Sequence, residues 1–377
     1  MKIVSVYTSA SAGGAEFAIG ELLEGVAGLG HEAVLFADAP RLAPGSRVAF
    51  RTIDLGPKLS RSTYRAVLLR FPGLARRLRA ALRGEEPFDV LLVHFKKEQL
   101  LTLFLPRSSR RICAWAEWGP LPVEFRAGPA NALYRLAGRR ADIVFAISDG
   151  TRTSLIQAGI PARKVMVLPN AVQVDDIRFD PAGRSRVRTE LGIPEDAFVV
   201  GCVSRFHPKK RNDVVVDAAK LLDDSVHVVL AGTGETESEL RELARPLGQR
   251  AHFIPTPTSD VASVYSAFDV SVFCPSPTEG APRAVILAML AERPVLATGK
   301  EGVTDLIADG TGAILEPEND PALLARALSL YAGDPELRSR HGRSARLHAE
   351  ARHDARSVAL QLEERLEAAM RGEGASR

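Results

Sequence analysis

AFVVGCVSRFHPKKRNDVVVDAAKLLDDSVHVVLAG, residues 197–232, alternates between two kinds of apolar pattern. The apolar runs at its start and at its end are typical of buried strands, and the segment NDVVVDAAKLL between them has helical spacing. A strand, a helix and a second strand in this order predict parallel strands joined by a crossover helix. The stretch therefore indicates an α/β protein built on parallel sheets.

The same alternation occupies both halves of the chain. In the first half, KIVSVYT, HEAVLFA, FDVLLVHF, RRICAWA, ADIVFAIS and KVMVLPN are predicted strands separated by helical patterns. A chain of 377 residues exceeds one compact core, so two domains are expected. We predict an α/β protein with two Rossmann-like doubly wound domains facing a cleft at the carboxyl ends of both sheets. The expected segments are an N-terminal domain (1–175), a linker (176–194), a C-terminal domain (195–350), a helix packing back on the N-terminal domain (351–371) and a disordered tail (372–377).

Composition favours a cytoplasmic protein. The apolar fraction is 46% and the charged fraction is 25%, which are ordinary values for a soluble globular chain. The three cysteines stand singly in apolar runs, without metal-ligand spacing. The chain begins directly with a strand pattern, and no apolar run approaches the length of a membrane span.

Residues 58–83 form a basic amphipathic segment. They hold eight Lys and Arg residues and no acid, and apolar residues recur at helical spacing. Such a helix can lie on an anionic membrane surface, which would make the protein peripheral to the inner face of the membrane. The alternative is a helix of the N-terminal domain that packs on its own sheet, with its arginines in water. No nucleic-acid partner is expected.

A cluster of cations precedes the helix of the opening stretch. Arg205 ends the strand, and Lys209, Lys210 and Arg211 follow a proline turn. Cations at a helix N-terminus oppose the helix dipole, so stability alone disfavours them and an anionic ligand is indicated. A guanidinium and an ammonium together suit a diphosphate. No DxD pair occurs, so no carboxylate-held metal is expected there.

A second turn of interest follows the first strand. Gly13 and Gly14 open the first helix, where backbone N–H groups can approach an anion, although a plain tight turn is an equal alternative. Asp38 closes the second strand, where a dinucleotide-binding fold places its ribose acid. An NAD-dependent oxidoreductase therefore stays open as an alternative, but the glycine spacing does not match its fingerprint.

Eight segments fall in the order seen in retaining glycosyltransferases of family four. They are SAGGAE, GHEAVLF, VLPNAV, GCVSRFHPKKR, VVLAGTG, DVSVFCPSPTEGAP, AMLAERPVLAT and GTGAILEPEND. The chain resembles this family over nearly its whole length. The resemblance implies the GT-B fold, a nucleotide-sugar donor held mostly by the C-terminal domain, and an acceptor on the N-terminal domain. It also implies retention at the anomeric carbon, with no cofactor and no bound metal.

The resemblance implies roles for single residues. Arg205 and Lys210 match the family's diphosphate-binding arginine and lysine, and Gly14 lies in the loop whose backbone faces the phosphate. Glu279 matches the first acid of a paired-glutamate motif, which touches the donor sugar. The segment whose amides meet sugar hydroxyls consists of Gly280, Ala281 and Pro282.

Several positions depart from the family pattern. The second glutamate, expected to bind the ribose hydroxyls, falls on Leu287. Two charged hydrogen bonds of about 1.5–3 kcal/mol each would be lost there. Either the donor does not bury that diol, or another group binds it, or the protein no longer uses a nucleotide sugar. Plain core packing is the alternative interpretation of Leu287. The other departures are Arg211 and Ala171, where glycine is usual, and Pro282, which lacks an amide donor.

The acceptor side rests on two strand ends. His94 ends FDVLLVHF, and Glu117 ends RRICAWAE between Trp115 and Trp118. Many family members have a histidine at the first position. We expect His94 and Glu117 to orient or deprotonate the acceptor hydroxyl, with the tryptophans stacking on a sugar. A purely structural role is the alternative for each of them.

Three functions remain open at this point. The expected one is a retaining, metal-independent glycosyltransferase acting on a glycan, a glycolipid or a natural product. Leu287 favours a degenerate GT-B protein that serves as a binding or partner subunit. The NAD-dependent oxidoreductase is the least favoured.

Overall fold

The computed structural model describes residues 1–9, 13–39, 42, 45–59, 63–107, 110–256, 259–276 and 279–372. The described residues divide into two compact units. The first unit consists of Met1–Val172 and the segment that begins at Asp354, and the second unit is Gln173–His353. Each contains a parallel sheet flanked by helices, so the predicted fold class of two doubly wound α/β domains is confirmed.

The sheet of the first unit has the strand order β3-β2-β1-β4-β5-β6-β7. All its pairings are parallel, and Val4 of β1 pairs with Val34 on one side and Leu91 on the other. These apolar runs are buried on both faces, as expected for parallel sheets. The strands are β1 (Lys2–Val6), β2 (Glu32–Ala37), β3 (Ala49–Thr52), β4 (Phe88–Val93), β5 (Arg110–Glu117), β6 (Ile143–Ala146) and β7 (Val165–Val167).

Two apolar clusters cover the faces of this sheet. One includes the buried side of α2, and the other includes α1 and the last helix, α13. Gly25 of α1 allows close contact, because a Cβ there would lie 2.4 Å from the carbonyl oxygen of Ala355. The helices are α1 (Gly14–Gly28), α2 (Tyr64–Arg83), α3 (Lys96–Leu101), α4 (Gly128–Gly138), α5 (Asp149–Gln157) and, after the second unit, α13 (Ala355–Met370).

Helix α2 contains most of the predicted basic segment 58–83, of which residues 60–62 lie outside the described chain. It buries Val67, Phe71, Leu78 and other apolar residues against its own sheet. The packing of this face agrees with a helix of the N-terminal domain. Leu69 on the outer side is 86% exposed. Among the described residues, no helix is long and apolar enough to cross a membrane.

The sheet of the second unit has the order β10-β9-β8-β11-β12-β13, again parallel. Its strands are β8 (Phe198–Val203), β9 (Val226–Ala231), β10 (Ala251–Ile254), β11 (Val270–Phe273), β12 (Val295–Thr298) and β13 (Gly312–Leu315). Its helices are α6 (Pro181–Leu191), α7 (Asn212–Ala219), α8 (Glu237–Leu243), α9 (Val261–Ser266), α10 (Arg283–Leu290), α11 (Pro321–Gly333) and α12 (Pro335–His353).

The segment boundaries differ from the prediction. The expected linker 176–194 contains α6, in which fully buried Arg188 donates a 2.8 Å hydrogen bond to Asp269. These residues therefore belong to the second unit. The chain returns to the first unit at Asp354, whose carboxylate accepts from the Ser357 backbone N–H and caps α13. The predicted disordered tail lies outside the described residues, apart from Gly372.

Candidate active site

The sheet of the second unit reverses its winding between β8 and β11. These strands are neighbours, and the chain continues from β8 to β9 on one side and from β11 to β12 on the other. Connections that leave adjacent strands in opposite directions open a crevice at their carboxyl ends, where ligands of such folds bind. The segments that follow β8 and β11 carry Arg205, Lys210 and Glu279.

Two predicted site residues meet in this crevice. Lys210 Nζ lies 2.7 Å from Glu279 Oε1, although the residues are 69 positions apart in the chain. The side chains are 17% and 20% exposed, so the pair is partly withdrawn from water. Nζ also lies 5.0 Å from the centroid of the Phe273 ring. The ammonium group is therefore held at the end of β11, with its position set by an acid and an aromatic face.

Glycines hold the loops of this crevice. A Cβ on Gly234 would lie 2.2 Å from the carbonyl oxygen of Phe206, beside Arg205. Gly302 has φ 82°, and a Cβ there would lie 2.2 Å from the carbonyl oxygens of both Glu279 and Gly280. The Glu279 N–H also donates to Glu301 O at 3.1 Å. Close backbone contact thus fixes both functional segments against their neighbours.

Arg205 and Arg211, two further cations of the cluster, differ in whether an acidic residue pairs with them. The Arg205 side chain is exposed, and its guanidinium has no protein partner among the described residues. Arg211 has φ 49°, in the left-handed region that costs a non-glycine residue about 1–2 kcal/mol. This conformation explains why glycine is usual there. Hydrogen bonds to Asp213 raise the pKa of Arg211, so its charge is already paired. Lys210 and Arg211 are thus each paired with an acid, whereas the guanidinium of Arg205, within the described part of the chain, is free to meet an anion.

The loop before α10 carries the predicted sugar-binding segment. Residues 277 and 278 lie outside the described chain, and Gly280 is buried. Pro282 is the N-cap of α10 and supplies no amide proton. Leu287 lies within α10 and is 8% exposed, the largest value among the buried residues of this helix. It is therefore a packing residue near the surface, and no carboxylate occupies its position.

In the first unit, His94 follows β4 and is buried. Its Nδ1 accepts from the Trp118 indole N–H at 3.2 Å, so Nε2 carries the proton and donates to Ser5 Oγ at 2.7 Å. Burial lowers the pKa of His94 from 6.5 to about 3. Both ring nitrogens are occupied and the side chain is 1% exposed. The structure therefore does not support the predicted role of His94 in taking a proton from the acceptor.

Glu117 ends β5, and both of its carboxylate oxygens are occupied. Oε1 accepts from the Tyr134 hydroxyl at 2.5 Å, and Oε2 pairs with Lys96. Burial lowers the pKa of Lys96, and the Glu117 carboxylate opposes this effect. Trp115 is fully buried, whereas Trp118 is half-buried. Glu117 therefore supports a buried ion pair, and the structure does not present it as a free base.

A further polar network lies beside the first strand, and the sequence did not suggest it. The Lys97 ammonium donates to Thr8 Oγ1 at 2.6 Å, and this hydroxyl donates to Glu98 at 2.5 Å. Lys97 and Glu98 are buried and lie in α3, the short helix that follows β4. In the sequence, the charged run KKE at residues 96–98, after an apolar strand, was the feature that could have indicated this network.

The glycine turn at the start of α1 is closed by an acid. Gly13 N–H donates to Glu16 Oε2 at 3.1 Å, and Glu16 Oε1 accepts from Lys58 at 2.7 Å. Burial alone would raise the pKa of Glu16, but hydrogen bonds from Lys58 and Ser9 outweigh it and lower the pKa. Gly14 is the first residue of α1, so its amide is at the helix start, where anions are favoured.

Comparisons with known proteins agree with the fold. The family model described as Glycosyltransferase Family 4 matches residues 12–176, and that described as Glycosyl transferases group 1 matches residues 183–348. HepE of Anabaena, solved in complex with UDP and glucose, has a TM-score of 0.81 at 22% identity, over 98% of this chain and 100% of that chain. At this level of identity the likeness shows the fold.

Two curated relatives extend the comparison. The 2-deoxystreptamine glucosyltransferase of Streptomyces kanamyceticus is 30% identical over 275 residues, covering 67% of this chain and 70% of that protein. The D-inositol 3-phosphate glycosyltransferase of Geodermatophilus obscurus is 34% identical over 219 residues, or 54% of this chain. The chain spans about half the length of the first curated relatives that it matches.

These findings decide the family. Both family models describe glycosyltransferases, and neither they nor the relatives favour the oxidoreductase alternative. The chain belongs to the group 1 glycosyltransferases, since glycosyltransferase models match both of its halves and a relative is matched over two thirds of its length.

Proposed function

We propose that the chain is a retaining glycosyltransferase that moves a sugar from a nucleotide-sugar donor to a hydroxyl acceptor without a bound metal. The observation that supports this most strongly is the crevice between β8 and β11. There a fixed ammonium group, Lys210, is paired with Glu279, and an exposed guanidinium, Arg205, lies in the neighbouring segment. Donor binding belongs to the second unit and acceptor binding to the first.

Arg205 and Lys210 bind the diphosphate of the donor and stabilise the negative charge that it gains as the glycosidic bond breaks. Preorganised cations are effective in this role because they need no reorganisation during the reaction. Two cations in a sequence without a DxD pair suit a metal-independent departure of the diphosphate. Retention at the anomeric carbon rests on membership of the family.

Glu279 has two parts in this proposal. When no anion is bound, the Glu279 carboxylate neutralises Lys210. The loop that carries Glu279 also positions the donor sugar. The backbone amides at Gly280 and Ala281 donate hydrogen bonds to the sugar hydroxyls, whereas Pro282 has no amide proton to donate. Gly14 at the start of α1 contributes a backbone amide to the phosphate.

The acceptor proton needs a destination other than His94 and Glu117, whose polar atoms are occupied. In a front-face displacement the acceptor oxygen approaches from the side on which the phosphate departs. The departing phosphate oxygen is then the base within reach. His94 and Glu117 become positioning residues, which hold the loops after β4 and β5.

Leu287 favours a second candidate, a degenerate transferase that acts as a binding or partner subunit. A thermal-shift panel in EDTA separates the candidates, with UDP-, GDP-, ADP- and dTDP-glucose and NAD as ligands. Stabilisation by a sugar nucleotide supports transfer. Stabilisation by none of them supports the degenerate protein, and stabilisation by NAD alone contradicts both proposals. Inositol 3-phosphate and 2-deoxystreptamine are suitable first acceptors, because relatives are named for them.

We also propose that α2 and the residues before it make peripheral contact with anionic membrane. The observation is a helix rich in arginine whose outer side exposes Leu69, with half-exposed Phe104 packed beside Phe71. Sedimentation with phosphatidylglycerol vesicles at low salt tests the contact. Failure to sediment would leave α2 as an ordinary surface helix and favour a soluble acceptor.

A further inference from the structure

A cavity of about 740 Å³ opens in the first unit at the end of α4. Arg139 caps α4 just before β6, and Arg163 and Lys164 lie in the turn just before β7. These residues stand at the amino ends of the strands, whereas His94 and Glu117 follow the carboxyl ends of theirs. The cavity is therefore on the opposite edge of the sheet from the residues discussed above.

The walls of this cavity are strongly cationic. Arg135, Arg139, Arg163 and Lys164 line it, and no acidic residue is among the described residues that do so. Within the described ranges, no carboxylate lies within ion-pair distance of the three guanidinium groups. The three guanidinium groups have no acid beside them to offset their mutual repulsion, and a bound anion would relieve it.

The pKa of Lys164 shows the influence of neighbouring positive charges. Its ammonium donates to Ala141 O at 2.6 Å, which anchors it to the protein. Burial lowers the pKa of Lys164; Asp142 opposes this, and the guanidinium groups of Arg163 and Arg107 lower the pKa further. Arg163 is thus close enough to Lys164 to influence its charge, and both residues line the same cavity.

The site is also shaped in advance. Gly159 has φ 94°, and a Cβ there would lie 2.6 Å from Arg135 Nε. The absence of a side chain at Gly159 lets the Arg135 guanidinium lie directly over the backbone. Leu136, which is 48% exposed, and Pro161 add an apolar wall. The cavity thus combines fixed charge with a surface for carbon atoms.

We propose that this cavity binds a small organic anion that carries at least two phosphate groups. Guanidinium groups bind phosphate oxygens in pairs, and the positive charge of three arginines and one lysine exceeds the charge of about −2 on one phosphate monoester. A volume of about 740 Å³ lies within the range of small-molecule sites. The source of the anion is either a soluble phosphate ester or the headgroup of a phospholipid. The site is independent of the donor crevice.

Calorimetry with inorganic pyrophosphate tests the site. The full chain carries Arg205→Ala and Lys210→Ala, so that the donor crevice does not take the probe. In this background Arg139→Ala and Arg163→Ala should each weaken pyrophosphate binding about tenfold or more, the loss of one charged hydrogen bond. Both side chains are exposed, so the melting temperature should stay unchanged. Arg356→Ala, an exposed arginine of α13 in the same unit, is the matched control and should change Kd less than about twofold.

The outcomes decide the proposal. No pyrophosphate binding in the background protein, or equal losses in the cavity variants and the control, would overturn it. If binding is lost as expected, vesicles that contain cardiolipin, a phospholipid whose headgroup carries two phosphates, identify the source. Weaker sedimentation of Arg139→Ala and Arg163→Ala than of Arg356→Ala assigns a lipid headgroup, and equal sedimentation assigns a soluble phosphate ester.

Discussion

The buried His94 makes the stability of the first unit depend on pH. Its pKa is lowered from 6.5 to about 3 by burial, so the unfolded chain takes up the proton first. The stability that neutral His94 provides is complete above pH 6.5 and is lost as the pH falls through 6.5 toward 3. Between pH 8 and pH 5 this loss amounts to about 2 kcal/mol, and it reaches about 4 kcal/mol at pH 3.

Urea unfolding followed by tryptophan fluorescence measures this effect. Both tryptophans of the chain, Trp115 and Trp118, lie in the first unit, so the signal reports that unit. His94→Gln keeps a polar side chain but removes the titration. We expect the wild type to lose about 2 kcal/mol more than His94→Gln between pH 8 and pH 5. Equal losses in the two proteins would mean that His94 is accessible to protons in the folded state, and the catalytic interpretation would return.

Three further predictions concern the fixed loops, the buried pair and the ribose position. Gly302→Ala should lower the free energy of unfolding by at least about 2 kcal/mol more than the control Gly310→Ala. Both glycines have positive φ, but only Gly302 lies against backbone oxygens. Chemical unfolding compares the two variants, and equal losses would contradict the close contact at Gly302. Glu117→Gln should lower the free energy of unfolding by about 1–3 kcal/mol by leaving the partly buried Lys96 without its acid, and adding Lys96→Met should recover most of this loss in the same assay; no recovery would mean that the pair is not the cause. Leu287→Glu should tighten UDP more than 2′-deoxy-UDP in calorimetry, and an unchanged ratio of the two dissociation constants would mean that this helix position does not face the ribose.

The sequence predicts the buried strands well because their apolar runs are long and bounded by turns. Strand β3 escaped prediction because Ala49–Thr52 is short, lies at the sheet edge and is only half-buried. Helix α6 was assigned to a linker, although Pro181 at its start and the left-handed Gly192 at its end are ordinary helix boundaries. The polar sequence of α6 lacks the apolar residues that normally indicate a packed helix. Its packing depends instead on the buried Arg188, which pairs with Asp269.

The sequence allowed the residues of the candidate site to be predicted, but it did not allow all of their contacts to be predicted. Arg205, Lys210 and Glu279 follow strands that the topology makes adjacent, and the sequence identified them through charge at a helix start and through the family resemblance. The partners of His94 and Glu117 were not predictable, because Ser5, Tyr134 and Lys96 come from separate strands and helices. A residue type at a strand end indicates a location, and only the contacts distinguish a free base from a buried hydrogen-bonding group.

The central claim is that Arg205 and Lys210 hold the diphosphate of a nucleotide-sugar donor. Calorimetry in EDTA measures it most directly, with UDP, GDP, ADP and dTDP as ligands of the wild type, Arg205→Ala and Lys210→Ala. Lys209→Ala, an exposed cation of the same turn, is the control. The account predicts that one nucleoside diphosphate binds and that each site variant weakens it by about 10- to 100-fold, while Lys209→Ala changes Kd less than about twofold. Equal affinities in the wild type and both site variants, or the same loss in the control, would contradict it.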